Sequence, residues 1–558
     1  GAVATALDLH DVSATEFAFE STSTALTHQF ASGANVTLEA DLGSNTTFAT
    51  TTADDGSSDT LTVNIQAEQT ADLIFDTASQ DFENVTINID APSSFDTDTA
   101  FDIEELAGNS ATAETDFTIV SSASDVDITI ANLDALNVDA SGVNGELTIT
   151  QKSDEALTIA GAQDDTTVTF VNTANDTTFS GTDTGDDDIT FGTTTGEAAA
   201  VTGGGDNTVK ANALTTGSLA VIAGDGADTV EVDAITTGTL SIHTGGGDDT
   251  VRIGADGAFN DAEVEIVLGA GDDTVELENG TDVAEITIDG GDGEDTINAD
   301  FVSSSFGDHT AATITLSNVE IIDYSDGFTS QDSHAIFDGA VFDDATFEIR
   351  GAGDILEQAV VHLDKAGTYD FSGITVNRSL DYGMGGLDVK TQGNAKVTVT
   401  GTEGDDTITV GTGASTITGG AGDDYMDGGA AGSKVTFVIA GADTGKAAGQ
   451  VDTVANFVTG TDVLSLGVAG SASNYAEMDL VASTSFSAAI TAAEGSGGLD
   501  KTVKYVFGYQ YGGSDADGAA NADGLLFIDA DMDGDVDDII ILAGLNAAGN
   551  FDDADIIA

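Results

Sequence analysis

A repeat in the middle of the chain constrains the fold more than any other feature. From Thr208 the sequence reads TVKANALTTGSLAVIAGDGAD, and from Thr229 TVEVDAITTGTLSIHTGGGDD. TVRIGADGAFNDAEVEIVLGAGDD follows from Thr250 and TVELENGTDVAEITIDGGDGED from Thr274, giving units of 21, 21, 24 and 22 residues. Each unit holds two short alternating strands and two turns. One turn is rich in Gly and Asp; the other is Thr-Thr-Gly in the first two units. A unit this short cannot bury its own apolar face, so neighbours must stack. Stacking places Val209, Val230, Val251 and Val275 in one row and Leu219, Leu240, Val264 and Ile286 in another. The expected result is a solenoid of parallel strands. An outward row checks the register: Lys210, Glu231, Arg252 and Glu276 fall in one slot, an alternating-charge ladder with a step of about 4.8 Å.

Strand-and-turn patterning extends beyond this block. Runs such as Thr60-Leu61-Thr62-Val63-Asn64-Ile65 and Glu146-Leu147-Thr148-Ile149-Thr150 alternate between clusters of Gly, Asn, Asp and Ser. Weaker copies of the repeat end at Gly185-Asp186-Asp187-Asp188-Ile189 and Gly205-Asp206-Asn207-Thr208-Val209. A tighter block follows, where Ile408, Ile417, Met426 and Val435 are spaced by nine residues, half a coil. Segments at 82–90, 133–139 and 316–323 share a turn-then-strand form ending in Asp and read as coils without the glycine turn. Residues 301–400 interrupt the repeat and carry Phe337, Phe342 and Phe347, which suggests a β-rich lateral insertion. The best helix candidates are 476–480 and 488–494.

The fold expectation is therefore all-β, an elongated parallel β-solenoid or β-roll. Its expected parts are an irregular β-rich region (1–145), a roll of coils near 21 residues (146–300), the insertion (301–400), a short nonapeptide block (401–436) and a C-terminal β-rich module (437–558).

Composition sets the chemical problem. The chain has 558 residues, with 99 Asp plus Glu against 12 Lys plus Arg, a formal charge of -87. Such a chain repels itself when compact, so a partner outside the covalent chain must offset the charge. Carboxylate clusters select hard cations such as calcium. Halophilic adaptation would scatter acidic residues over the surface, whereas here they sit at fixed glycine-spaced positions; placement favours calcium. With no Cys, neither a disulfide nor a thiolate zinc site can form. The scarcity of cations excludes a nucleic-acid surface. No apolar run approaches the roughly 18 residues of a membrane-spanning helix, so no membrane insertion is expected. The first 20 residues lack the basic start and apolar core of a secretory signal peptide. The chain opens with Gly, and we expect it to be processed or excised from something longer.

The turn Gly-Gly-x-Gly-x-Asp-x-apolar carries the candidate chemistry. Glycine allows positive φ and aims carbonyl oxygens inward, Asp adds carboxylates, and the apolar residue anchors the loop. Stacked turns then offer a cage of roughly six hard oxygens. Candidate ligands in the first block are Asp186, Asp187, Asp206, Asn207, Asp225, Asp228, Asp248, Asp249, Asp272, Asp273, Asp292 and Asp295. The second block adds Asp405, Asp406, Asp423, Asp424 and Asp427. A lone turn of this kind is weak evidence, and a metal-free hairpin explains decayed copies such as Gly413-Ala414-Ser415. A register of many is strong evidence. Separately, the run Asp529, Asp531, Asp533, Asp535 and Asp537 is a second calcium candidate: Asp529, Asp531, Asp533 and Asp537 at positions 1, 3, 5 and 9, with Gly534 at 6, fit an EF-hand-like loop. Position 12 is Ile540 instead of Glu, and the flanks read as strands, so a plain Gly-Asp turn stays open.

No catalytic signature emerges, and the expectation is a non-enzyme. None of His10, His28, His243, His309, His334 or His362 is followed by Glu, which excludes the zinc-protease helix motif. A Gly-x-Ser-x-Gly elbow is absent. Three dispersed Arg cannot form the basic cluster that an acidic polysaccharide substrate requires.

The glycine-aspartate turns resemble those of the RTX family of Gram-negative secreted proteins. The segment 450–466 is similar to the stretch after the last RTX turn, and 523–529 with Asp555-Ile556-Ile557-Ala558 resembles the family's C-terminal secretion region. The likeness covers roughly 180–300 and 400–558. It implies multiple Ca2+ ions, type I secretion through an uncleaved C-terminal signal, and an extracellular, cell-surface location. Among RTX proteins the chain looks most like a surface-layer subunit, whose chief partner is itself, with a cell-surface glycan or lipopolysaccharide as a further candidate. A calcium-stiffened adhesin or biofilm-matrix filament shares these features and stays open as the alternative.

Overall fold

Apolar-polar alternation becomes parallel stacking in the computed structural model. It describes residues 16–19, 26–50, 58–75, 82–90, 101–107, 109–110, 113–121, 126–152, 156–182, 184–254, 259–260, 262–278, 280–282, 285–300, 313–324, 334–338, 346–351, 358–363, 365–378, 386–391, 393–430, 432–440, 444–447, 450–483, 485–511 and 523–558. The chain divides into two units, 1–297 with 309–319, and 298–308 with 320–558.

In the first unit the chain passes back and forth between two large sheets, in which each strand lies parallel to its counterpart one coil away. Ala34–Leu38, Thr60–Ile65 and Asn84–Ile89 stack in one sheet; Ile128–Asp134, Leu147–Gln151 and Thr166–Thr173 stack in the other. Every second side chain points between the sheets, as in Leu61, Val63 and Ile65 of Thr60–Ile65. Each such side chain contributes about 1.5–3 kcal/mol on full burial. Aromatic rings stack up the core as well, Phe48 on Phe75 at 5.1 Å and Phe170 on Phe191 at 5.0 Å. The expected rows hold: Val209, Val230, Val251 and Val275 pair in succession, as do Leu219, Leu240, Val264 and Ile286. The charged ladder is present too. Lys210 meets Glu231 at 3.1 Å, and Arg252 pairs with Glu276.

The second unit continues in the same style. Ile321–Tyr324, Glu348–Gly351 and Thr375–Arg378 pair in parallel, as do His334–Asp338, Gln358–Leu363 and Asp388–Thr391. The described strands of 301–400 are thus stacked coils instead of a lateral insertion; Phe347 is buried within them, and Phe342 lies outside the described residues. In the tighter block Ile408 pairs with Met426, but Ile417 pairs with Phe437, not with Val435. The turn before Val435 is two residues longer, which moves the ninefold series by one inward position.

After the last coil the topology changes. Tyr505–Tyr509, Gly524–Ile528 and Asp538–Leu542 form an antiparallel meander, and Ile556–Ile557 pairs beside Val463–Ser465. A single α-helix among the described residues, Phe486–Ala493, is capped by Ser485 and packs on a core of Leu480, Val506, Phe527 and Ile539. The other expected helix is a strand, Tyr475–Asp479, because its backbone pairs in register with Tyr505–Tyr509. No helix among the described residues is long and apolar enough to cross a membrane.

Candidate metal centre

Glycine geometry builds the turns that join one sheet to the other. Gly245, Gly247, Gly269, Gly271, Gly291 and Gly293 all have positive φ, between 107° and 150°. A Cβ on Gly269 or Gly271 would collide with the carbonyl oxygen of Gly245 or Gly247 in the preceding coil. These carbonyls therefore point along the stack, and only glycine can sit above them.

Inside the turns runs a column of buried side chains: Asp187, Asn207, Asp228, Asp249, Asp273 and Asp295. Each accepts a hydrogen bond from the backbone N–H of its counterpart one coil earlier. Asp187 N–H donates to Asn207 Oδ1 at 2.9 Å and Asn207 N–H to Asp228 Oδ1 at 2.8 Å. Asp228, Asp249 and Asp273 then donate in turn to Asp249, Asp273 and Asp295 at 2.8, 2.7 and 3.0 Å. One oxygen of each carboxylate is spoken for. The second, Oδ2, folds back into its own turn; in the turns that begin Gly181 and Gly290 it faces the first glycine so closely that a Cβ would strike it. Asp187 Oδ2, Asp249 Oδ2 and Asp273 Oδ2 are buried and meet no donor.

This arrangement tests whether calcium fits. A charge-assisted hydrogen bond contributes about 1.5–3 kcal/mol, whereas removing an ionised carboxylate from water costs several kcal/mol even after relaxation. The ladder alone does not offset the cost of burying these groups charged. Burial accordingly pushes Asp187 up to about 7 and Asp249 and Asp273 to about 6, with Asp228 also raised. The turns of Asp187, Asp249 and Asp273 thus present a buried, donor-free carboxylate oxygen, a hard-oxygen donor suited to calcium, whereas Asp228 Oδ2 accepts from the Gly224 N–H at 3.4 Å.

A second, exposed column runs beside the first with opposite polarity. Asp206 N–H donates to Asp186 Oδ1, Asp272 N–H to Asp248 Oδ1 and Glu294 N–H to Asp272 Oδ1, at 2.8–3.0 Å. It extends back to Asp165 and Asp127, below the glycine turns. Ala227 interrupts it, leaving a gap between Asp206 and Asp248. Asp225 and Asp292 occupy the third position of their turns, exposed, and join neither column.

The tighter block repeats the pattern. Leu387, Asp406 and Asp424 donate in succession to Asp406, Asp424 and Asp452. Burial pushes Asp424 up to about 9, and its Oδ2 has no donor. Asp406, raised by burial to about 7, is better provided for, because Thr402 donates to it from backbone and hydroxyl. Asp423 N–H donates to Asp405 Oδ1 in the outer column, and burial raises Asp423 to about 6. Asp427 lies on the opposite edge, where it accepts from Gly429 N–H and Asn456 Nδ2. Sequence reasoning missed Asp452, 28 residues beyond Asp424, although Asp452-Thr453-Val454 repeats the Asp-x-apolar step of Asp424-Tyr425-Met426. It also missed Glu294 and Asp165.

The loop 529–537 forms the tip of the hairpin between Gly524–Ile528 and Asp538–Leu542. Carboxylate oxygens of Asp529, Asp531 and Asp533 lie within 4.8 Å of one another. Asp529 accepts from the N–H of Asp533 and of Gly534 (φ 102°), and Asp533 from that of Asp535. Asp537 instead turns back to the Ala530 N–H. Asp535 is exposed, and its backbone N–H takes part in the loop. Lys504 Nζ donates to the carbonyls of Asp529 and Ala530 from beneath.

A protein-family profile described as the RTX calcium-binding nonapeptide repeat (4 copies) matches residues 265–284, 287–301 and 400–431. No curated protein and no solved structure matches the chain. The matched residues include the turns of Asp273, Asp295, Asp406 and Asp424, which are thus similar to calcium-binding repeats. The same ladder geometry continues outside the matched residues to Asp249, Asp228 and Asp187.

Proposed function

We propose that this chain, an RTX-type protein with calcium-binding nonapeptide repeats, is a self-assembling structural subunit of a bacterial surface layer that folds on calcium after export. One observation carries the reading: buried carboxylate columns stacked coil upon coil, with oxygens that the protein itself leaves without donors. At low calcium the inner columns must protonate or open. Where calcium is abundant, ions fill the turns, and their binding free energy becomes folding free energy. A site filled at a hundred times its Kd adds about 2.7 kcal/mol. The remaining surface charge lets further calcium bridge acidic faces of neighbouring copies. Repeated coils over most of the described length suit a building block better than a catalyst.

Electron microscopy of the purified protein with and without calcium tests this. The expected outcome is ordered two-dimensional sheets on adding millimolar calcium, dissolving with chelator. Fibres would transfer the protein to the filament class; monomers that persist in calcium would defeat assembly altogether.

A further inference from the structure

One member of the inner column is not a carboxylate. Asn207 is buried, at 1% exposure, and its side chain is completely satisfied. Its Oδ1 accepts from the Asp187 N–H at 2.9 Å, and only an oxygen can meet that donor. The orientation of the amide is therefore forced. Nδ2 takes the place that Oδ2 has in the aspartate turns, inside its own turn. There it donates to the Gly205 carbonyl at 2.9 Å and to Asp228 Oδ1 at 2.8 Å.

These contacts are those a cation would make. In the turn of Asp273 the Oδ2 oxygen is buried and meets no donor; in this turn an N–H already lies against a glycine carbonyl. The rest of the turn is built for binding, since Gly203 and Gly205 have φ of 95° and 101° and Asp206 continues the outer column. Within the inner column one atom, nitrogen for oxygen, thus separates this rung from its neighbours Asp187 and Asp228.

Building on the calcium reading above, we propose that Asn207 is a neutral plug that replaces an ion in the turn 202–207. It divides the inner column, with Asp187 on one side and Asp228, Asp249, Asp273 and Asp295 on the other. It also gives the stack one rung that closes without metal. This is the role we assign it in place of the ligand role that the glycine spacing suggests. A column broken by a self-satisfied rung can keep its register at low calcium, so ions then add to an already aligned end.

Asn207→Asp in the full chain is the direct test, read by calcium stoichiometry in native mass spectrometry and by hydrogen exchange at the Asp187 and Asn207 amides in EDTA. The expected results are one additional bound calcium and at least tenfold faster exchange of the Asp187 amide without metal. Unchanged stoichiometry together with unchanged exchange would overturn the proposal. The reciprocal Asp249→Asn should bind one calcium fewer and slow exchange of the Asp228 amide in EDTA; loss of no ion would count equally against the plug. Should Asn207→Asp fail to fold, Asp249→Asn carries the test alone. If the parent chain binds no calcium, the underlying reading fails; if the parent binds and the variants leave the count unchanged, only the plug fails.

Discussion

Two stretches of the first unit share one architecture and differ at a single position per coil. In the lower coils, the residue that opens the inner face of the strand after the turn is Ile128, then Leu147, then Thr166. One coil further it is Asp187, and the carboxylate column begins. The next inward residues pair on regardless: Ile130, Ile149, Val168, Ile189, Val209. The same backbone stack thus rests on two different energetic bases. Below, Ile128 and Leu147 fill the site with apolar side chains, and Thr166 fills it with a hydroxyl that accepts from the Ala162 N–H. Above, the site holds an oxygen that needs a proton or an ion. The comparison teaches that the same stacked backbone accepts either an apolar or a carboxylate residue at this position; on the proposed reading, the carboxylate, with its glycine turn, is what brings calcium dependence.

The largest expected consequence is a split response to chelation. Limited proteolysis in EDTA should cut within residues 208–300 and spare coils between 26 and 160, as read by mass spectrometry of the fragments; uniform cutting would erase the distinction. Next comes a change on the apolar side. Phe75→Ala removes a ring fully buried against Phe48 and Phe117 and should cost about 3–5 kcal/mol, equally with calcium or EDTA, by denaturant unfolding. On the carboxylate side, Asp249→Ala and Asp273→Ala should each cost about 3 kcal/mol in calcium and much less in EDTA, and His243→Ala, on an exposed outward position, almost nothing in either.

Acidity should act oppositely on the two states. Asp187, Asp249, Asp273 and Asp406 have folded values raised to about 6–7 by burial, above the ordinary 3.8. Between pH 4 and about 7 the metal-free fold therefore binds protons that the unfolded chain has released, and its stability falls as pH rises. Calcium needs the deprotonated groups, so its stabilisation grows over the same window. Tm at pH 5 and 8 checks this: without metal the higher value belongs to pH 5, and calcium raises Tm more at pH 8. A small effect also belongs to the outward ladder. Lys210→Ala should cost under about 1 kcal/mol, less in high salt, because its pair with Glu231 is partly exposed.

Much of this was legible in the residues. Strict alternation fixed which side chains face inward, and the repeat length set the register, so the rows of Val209 and Leu219 and the Lys210 ladder could be read directly. What escaped depended on turn length or distant pairing. The longer turn before Val435 moved the inward position to Phe437, and Tyr475–Asp479 became a strand only through a partner 30 residues away. The glycine spacing marked Asp and Asn207 alike as ligands. It could not separate the inner from the outer column, because that distinction lies in which coil each carboxylate reaches.

Hydrogen exchange at the amides of Asp228, Asp249 and Asp273, compared in calcium and after complete chelation at pH 8, tests the central claim most directly. These N–H groups donate to the inner column itself. The account requires slow exchange with calcium and loss of protection without it, while amides of Ile130 and Ile149 stay protected in both. Equal protection of all five amides in EDTA would contradict it.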